Sequence, residues 1–196
     1  MRAVRQRIGL RARTAYLASL LRDTRGMSAV EFALIVPVLI LLYVGVAEMG
    51  NALTIYRRTS TVAATAADLT AQVKTIKGSD IKDIFAASTG ILDPYPTTPL
   101  RIVLSSVVAD NNNNGKVAWS CANKGSGRAV NSAYTVPPGL TEAGTSVIVA
   151  EITYSFTPLL NLTSIFSPGA FDMKRTFYAR PRRSATVAKT DGTSCS

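Results

Sequence analysis

The chain of 196 residues contains no histidine. That absence removes Ser-His and Cys-His nucleophile pairs, histidine-ligated zinc and the usual acid–base side chain near neutral pH. Cysteine is nearly absent too: Cys121 and Cys195 are the only two, too few for a four-ligand zinc site. Charged residues make up only 17% of the chain and apolar ones 47%, a composition that is neither disordered nor collagen-like. No serine or lysine of the C-terminal half lies in a nucleophile motif. Catalysis is therefore not expected, and no catalytic residue, cofactor or metal is assigned. The length suits one ordinary domain, or a small domain with an appendage.

Basic residues number 22 and acidic ones 12, for a net charge of +10. The excess sits at the two ends. Residues 1–26 hold seven arginines (Arg2, Arg5, Arg7, Arg11, Arg13, Arg22, Arg25) against one acid, Asp23. Residues 172–196 hold six basic and two acidic side chains, and the stretch between them balances nine against nine. A nucleic-acid-binding domain carries its basic patch on a folded face, with aromatics or a known motif. The charge here belongs to the ends, so no nucleic-acid partner is expected.

Directly after the arginine-rich leader, residues 32–47 read FALIVPVLILLYVGVA, sixteen residues without a charge between Glu31 and Glu48. A spanning helix takes about 20 apolar residues, and across residues 27–53 only Glu31 and Glu48 are charged. The segment reads as a membrane-spanning helix. A buried core helix would leave the leader arginines without a purpose. Seven arginines precede the span, and Arg57 and Arg58 follow it closely; the positive-inside bias places the N-terminus in the cytoplasm and everything after about residue 55 outside. A cleaved secretory signal is the rival. Its apolar core is shorter, roughly 7–15 residues, and Ala47-Glu48-Met49 is a poor small-x-small cleavage site.

The residues at the head of the span are Arg25-Gly26-Met27-Ser28-Ala29-Val30-Glu31-Phe32. A carboxylate this close to the membrane core costs a few kcal/mol on insertion scales, so Glu31 calls for a reason. Cleavage after Gly26 would create an ammonium on Met27, one helical turn before Glu31, and the two charges could pair within one chain or between neighbours. Glycine at the cut suits a protease that binds an extended backbone with no side chain in the way. Plainer readings stand beside these. Gly26 could be only a turn residue, Glu31 a snorkelling interfacial acid, Pro37 a tolerated kink or a bend within a bundle, and Glu48 a marker of the exit interface.

Gly26, Val30-Glu31-Phe32-Ala33-Leu34, Pro37, Glu48 and Gly50 together closely resemble the N-terminus of TadE-like proteins, the minor pseudopilins of Tad (Flp) pilus systems within the type IV pilin superfamily. The strong resemblance covers about residues 25–73; a weaker one covers residues 117–120, 149–158 and 178–182. It implies that a prepilin peptidase cuts between Gly26 and Met27, leaving a mature chain of residues 27–196. It also implies work in pilus assembly beside other pilin or pseudopilin subunits and inner-membrane platform proteins. The leader departs from a minimal basic one: Leu10, Tyr16, Leu17, Leu20 and Leu21 would let it lie as an amphipathic helix on the cytoplasmic face. The alternative reading is an uncleaved envelope protein of a secretion machine, crossing the membrane once, whose periplasmic head is an interaction module.

Beyond the span, Ala52, Ile55, Thr59, Val62, Ala66, Leu69 and Val73 recur at three and four residues, one face of a helix. Arg57, Arg58, Thr61, Thr65 and Asp68 lie opposite. One helix is expected from Met27 to about Thr75, with Gly78 capping it. A short helix over 81–87, a proline-rich loop over 93–99 and strands over 101–109, 116–122, 147–156 and 173–180 follow. Ile148, Ala150, Ile152, Tyr154 and Phe156 should face one side of their strand. The expected class is α+β: a long N-terminal transmembrane helix, a pilin-like stalk, with a small antiparallel sheet head packed on its C-terminal half. The expected divisions are a cytoplasmic leader at 1–26, span and stalk at 27–77, and a periplasmic head at 78–196.

Asp110-Asn111-Asn112-Asn113-Asn114-Gly115 lies between two expected strands, and Asn-Gly signals a tight hairpin turn. It also matches the front of a calcium loop, but the twelfth position is Cys121 rather than glutamate. Cys121 and Cys195 are candidates for a disulfide in an oxidising periplasm; two independent thiols are the alternative. Lys174, Arg175, Arg180, Arg182 and Arg183 could meet anionic membrane lipid or an acidic partner, or simply keep a strand edge soluble.

Overall fold

The computed structural model describes residues 26–112, 114–158, 170–192 and 195. The chain divides into two compact units, Met1–Ala47 and Glu48–Ser196. The leader's suggested amphipathic helix lies outside the described residues. The class is the expected one, an α+β chain with a long apolar N-terminal helix followed by an antiparallel sheet.

Helix α1 spans Met27–Ala71, 45 residues, and contains Pro37. In the second unit its buried residues are Ile55, Thr59, Val62, Ala63, Ala66, Ala67, Thr70 and Ala71. Apart from Ile55 these are alanine, threonine and valine, and the apolar ones join the core beneath the sheet. The two buried hydroxyls are satisfied within the helix: Thr59 Oγ1 donates to Tyr56 O at 2.8 Å and Thr70 Oγ1 to Ala66 O at 2.9 Å. The buried face departs from the expected stripe at its far end. Leu69 is only half-buried, and Thr70 and Ala71 take its place. An α-helix drifts about 20° per heptad against a 3.5-residue pattern, so a stripe read at alternating three and four slides off the contact within two heptads.

The helix also ends earlier than expected, at Ala71 rather than near Thr75. The cause lies far along the chain. Arg182 N donates to Ala71 O at 2.8 Å, and strand β1, Thr75–Ile76, pairs in parallel with β7, Ala188–Lys189. Gly78 does not cap α1; it opens α2, Gly78–Gly90, which is longer than the expected 81–87. Two carboxylates serve the start of α2. Asp80 Oδ2 accepts from Lys77 N at 2.9 Å, and Asp191 Oδ2 accepts from Gly78 N at 2.6 Å. Hydrogen bonds from Lys189 and Gly78 N hold the Asp191 carboxyl below its usual range.

The sheet follows as β2 (Leu100–Ala109), β3 (Gly115–Ala122), β4 (Ala133–Tyr134), β5 (Ser146–Phe156) and β6 (Phe171–Ala179). The strand order is β4-β3-β2-β5-β6, with every pairing antiparallel. All four strands expected from the alternation are present within two residues at each end. The two-residue strands β1, β4 and β7 carry no pattern long enough to read.

One face of the sheet makes the main core. Leu100, Ile102 and Leu104 of β2, Trp119 and Cys121 of β3, and Ile148, Ala150, Ile152, Tyr154 and Phe156 of β5 cluster with the buried face of α1 and with Ile81 and Phe85 of α2. Each large apolar side chain buried here contributes about 1.5–3 kcal/mol. The other face holds a smaller cluster, Val107, Val117, Val147 and Val149, flanked by Tyr134, Val136 and Tyr178. The segment between β3 and β4 crosses this second face. Arg128 N donates to Ser120 Oγ at 2.9 Å, and the Arg128 guanidinium grips both carboxylate oxygens of Glu151 at 2.6 Å. Tyr134 lies under that guanidinium, 4.6 Å from ring centre to Arg128 Cζ, and burial pushes its phenol up.

Candidate functional site

Gly26 is exposed, and a Cβ built there meets nothing within 4 Å. Met27 is the first residue of α1. Glu31 lies four residues on, one turn up the helix, where side chains at that spacing are about 5–6 Å apart at Cβ. Val30, Glu31, Phe32 and Pro37 are all exposed. The most apolar eighteen-residue stretch of α1 has none of its residues buried, and α1 is long and apolar enough to cross a membrane. In water this surface would cost about 25 cal/mol for each Å² of apolar area left uncovered. A hydrocarbon solvent removes that cost, and the helix satisfies its own backbone polar groups there.

Glu48, the first residue of the second unit, is half-buried. With Asn51 and Ile55 of α1 it lines a groove of about 340 Å³, whose other walls are Tyr95, Pro96 and Pro99 and the end of β5 with Tyr154 and Phe156. The walls are held by polar contacts. Tyr154 Oη donates to Pro96 O at 3.1 Å, and burial pushes this phenol up. Arg58 Nη1 donates to Ile91 O at 2.9 Å and to Asp93 O, and its guanidinium lies 5.5 Å from the Tyr95 ring centre. Sequence reasoning missed the groove as a site. Its walls come from three separated segments, and no local pattern brings them together.

The two cysteines are joined: Cys121 and Cys195 form a disulfide with Cα atoms 5.3 Å apart. It ties the C-terminal tail to β3 across 74 positions. Chain entropy assigns such a loop about 4 kcal/mol of stability. Cys195→Ser is expected to lower the urea midpoint accordingly, and reductant should bring the parent protein to the midpoint of the variant. A variant midpoint equal to that of the oxidised parent would contradict this.

The turn after β2 is closed by its own aspartate. Asp110 Oδ1 accepts from Asn112 N at 2.9 Å and Asn114 N at 2.8 Å, which holds this exposed carboxyl below its usual range. Among the described residues no group of three or more metal-ligating side chains occurs. The basic C-terminal residues are largely taken up by structure. Arg180 donates to Leu140 O at 2.9 Å, Arg182 pairs with Asp68, and the Arg175 guanidinium lies 3.8 Å from the Tyr56 ring centre.

The described residues define a class: an α+β head on a single apolar helix suited to anchoring in a membrane. Residues 26–68 match the family of TadE-like proteins, the family that the head of the sequence resembles. The match points to a protein associated with the Tad pilus. It begins at Gly26, immediately before α1, and ends within the buried half of that helix, so β1–β7 lie beyond it. No curated protein and no solved structure matches the chain.

Proposed function

We propose that this protein is a minor pseudopilin that serves in assembly of a Tad (Flp) pilus. In this reading a prepilin peptidase cuts between Gly26 and Met27, and the mature chain acts by packing its helix against other subunits in the inner membrane. The observation that carries it is a coincidence of boundaries. The family match begins at Gly26 and α1 begins at Met27, so the exposed glycine, the start of the helix and the Glu31 carboxylate one turn on fall where the cleavage reading needs them. The arginine-rich leader then lies in the cytoplasm and the head in the periplasm. Partners in this reading are the peptidase, other pilin or pseudopilin subunits, platform proteins of the inner membrane and lipid.

Glu31 supplies the selectivity of the packing. In hydrocarbon a carboxylate seeks a cation, and the new ammonium on Met27 of the same or a neighbouring chain is the nearest one in sequence. Terminal sequencing of the mature protein is expected to begin at Met27; any other start overturns the cleavage reading. Glu31→Gln removes the charge and keeps the shape. It should leave membrane insertion intact and lower co-purification of partner subunits by about tenfold, the equivalent of about 1.4 kcal/mol. Undiminished co-purification would sink the role given to Glu31. A second reading, an uncleaved subunit with an interaction head, draws on the apolar leucines and tyrosine of the leader. It predicts the full leader in purified membranes.

A further inference from the structure

We propose that the groove beside Glu48 holds the primary-ammonium headgroup of a zwitterionic phospholipid. This rests on the reading that α1 spans the membrane. The sixteen uncharged residues before Glu48 rise about 24 Å along a helix, close to the roughly 30 Å hydrocarbon core of a bilayer. Glu48 therefore leaves the membrane at the level of the headgroups.

The chemistry of the lining selects the occupant. At about 340 Å³ the groove is of small-molecule size. Among the described residues its walls combine one carboxylate, Glu48, with three aromatic residues, Tyr95, Tyr154 and Phe156, and no cationic side chain. Aromatic faces and a carboxylate both attract a cation. A carboxylate has about four acceptor positions, so Glu48 can take an ammonium N–H in addition to the contact it already makes. An anionic headgroup would meet repulsion. A bare metal ion would lack the shell of oxygen ligands it needs. Hydrocarbon alone would strip water from the carboxylate and offer it no hydrogen bond in return. A cation joined to an apolar body meets each condition, and phosphatidylethanolamine is such a molecule. The anchoring of Tyr154 on Pro96 O and of the 91–93 carbonyls on Arg58 holds the walls in place before any lipid arrives.

The test uses the full chain in vesicles of equal phosphatidylethanolamine and phosphatidylglycerol. After detergent extraction, the lipids retained per protein are counted by native mass spectrometry. Phosphatidylethanolamine is expected to be retained over phosphatidylglycerol by about tenfold, with Glu48→Gln and Tyr95→Leu each cutting that preference by about fivefold. Equal retention of the two lipids, or an unchanged preference in Glu48→Gln, overturns the proposal. Alkaline carbonate extraction separates the failures. A chain that stays in the membrane without a lipid preference overturns the groove assignment alone; a chain released into solution overturns the spanning reading, and the groove assignment with it.

Discussion

Gly26→Ala is expected to slow maturation about a hundredfold while leaving the fold untouched. The position is exposed, a Cβ there meets nothing within 4 Å, and α1 begins only at the next residue. Surface substitutions of this kind move stability by about 0.5 kcal/mol or less. The added methyl therefore acts only where the backbone must lie extended in a protease. There, a displacement of the scissile carbonyl by about 1 Å costs about a hundredfold in rate. Pulse labelling followed by mass measurement reads the ratio of precursor to mature chain, and circular dichroism of the purified precursor checks the fold. Maturation at the parent rate would show that Gly26 is an ordinary residue of a turn before the helix.

Trp119→Ala is expected to destabilise the second unit by about 3–5 kcal/mol. Trp119 is 2% exposed, sits among the main cluster, and donates its indole N–H to Val187 O at 2.8 Å. Val187 immediately precedes β7, the strand that pairs with β1. Removing the indole opens a cavity under the sheet, strips a buried carbonyl of its donor, and frees the tail at the point where it turns onto β1. At about 2–4 °C per kcal/mol for a unit of this size, the melting temperature should fall by about 10 °C. Trp119→Phe keeps most of the apolar area and loses the N–H with a smaller part of the ring. It should cost about 1–3 kcal/mol, the penalty of leaving a buried acceptor unsatisfied. Trp119 is the only tryptophan, so unfolding of the variants is followed by circular dichroism. Equal losses in the two variants would place the whole effect in the hydrogen bond.

Much of the fold was legible because its signals are local. The span, the continuing helix and the four long strands each carry their own periodicity. Ile148, Ala150, Ile152, Tyr154 and Phe156 face one cluster while Val147 and Val149 face the other, as strict alternation requires. The errors cluster where distant residues act. Gly78 carries the signature of a helix cap, yet Asp191 accepts its N–H and it starts a new helix instead. Leu69 belongs to a clean three-four pattern, yet true α-helical drift turns it half away from the sheet. Nor does any one stretch of sequence display what Arg175, Arg180 and Arg182 hold, which is an aromatic ring, backbone carbonyls and Asp68.

The candidate site divides along the same line. Gly26, Met27, Val30, Glu31 and Phe32 fall within residues 26–32, so one short window displays the head of the motif. The groove needs Glu48, Tyr95 and Tyr154 brought together where α1, the 95–99 loop and the end of β5 meet, which no window of sequence contains. The amino-acid order by itself determined an apolar helix with a charged head and an alternating sheet, because burial periodicity is written every two to four residues. Where α1 stops, what the C-terminal arginines hold, and which rings gather beside Glu48 were decided only by the tertiary structure. Those outcomes depend on hydrogen bonds and contacts between residues distant along the chain.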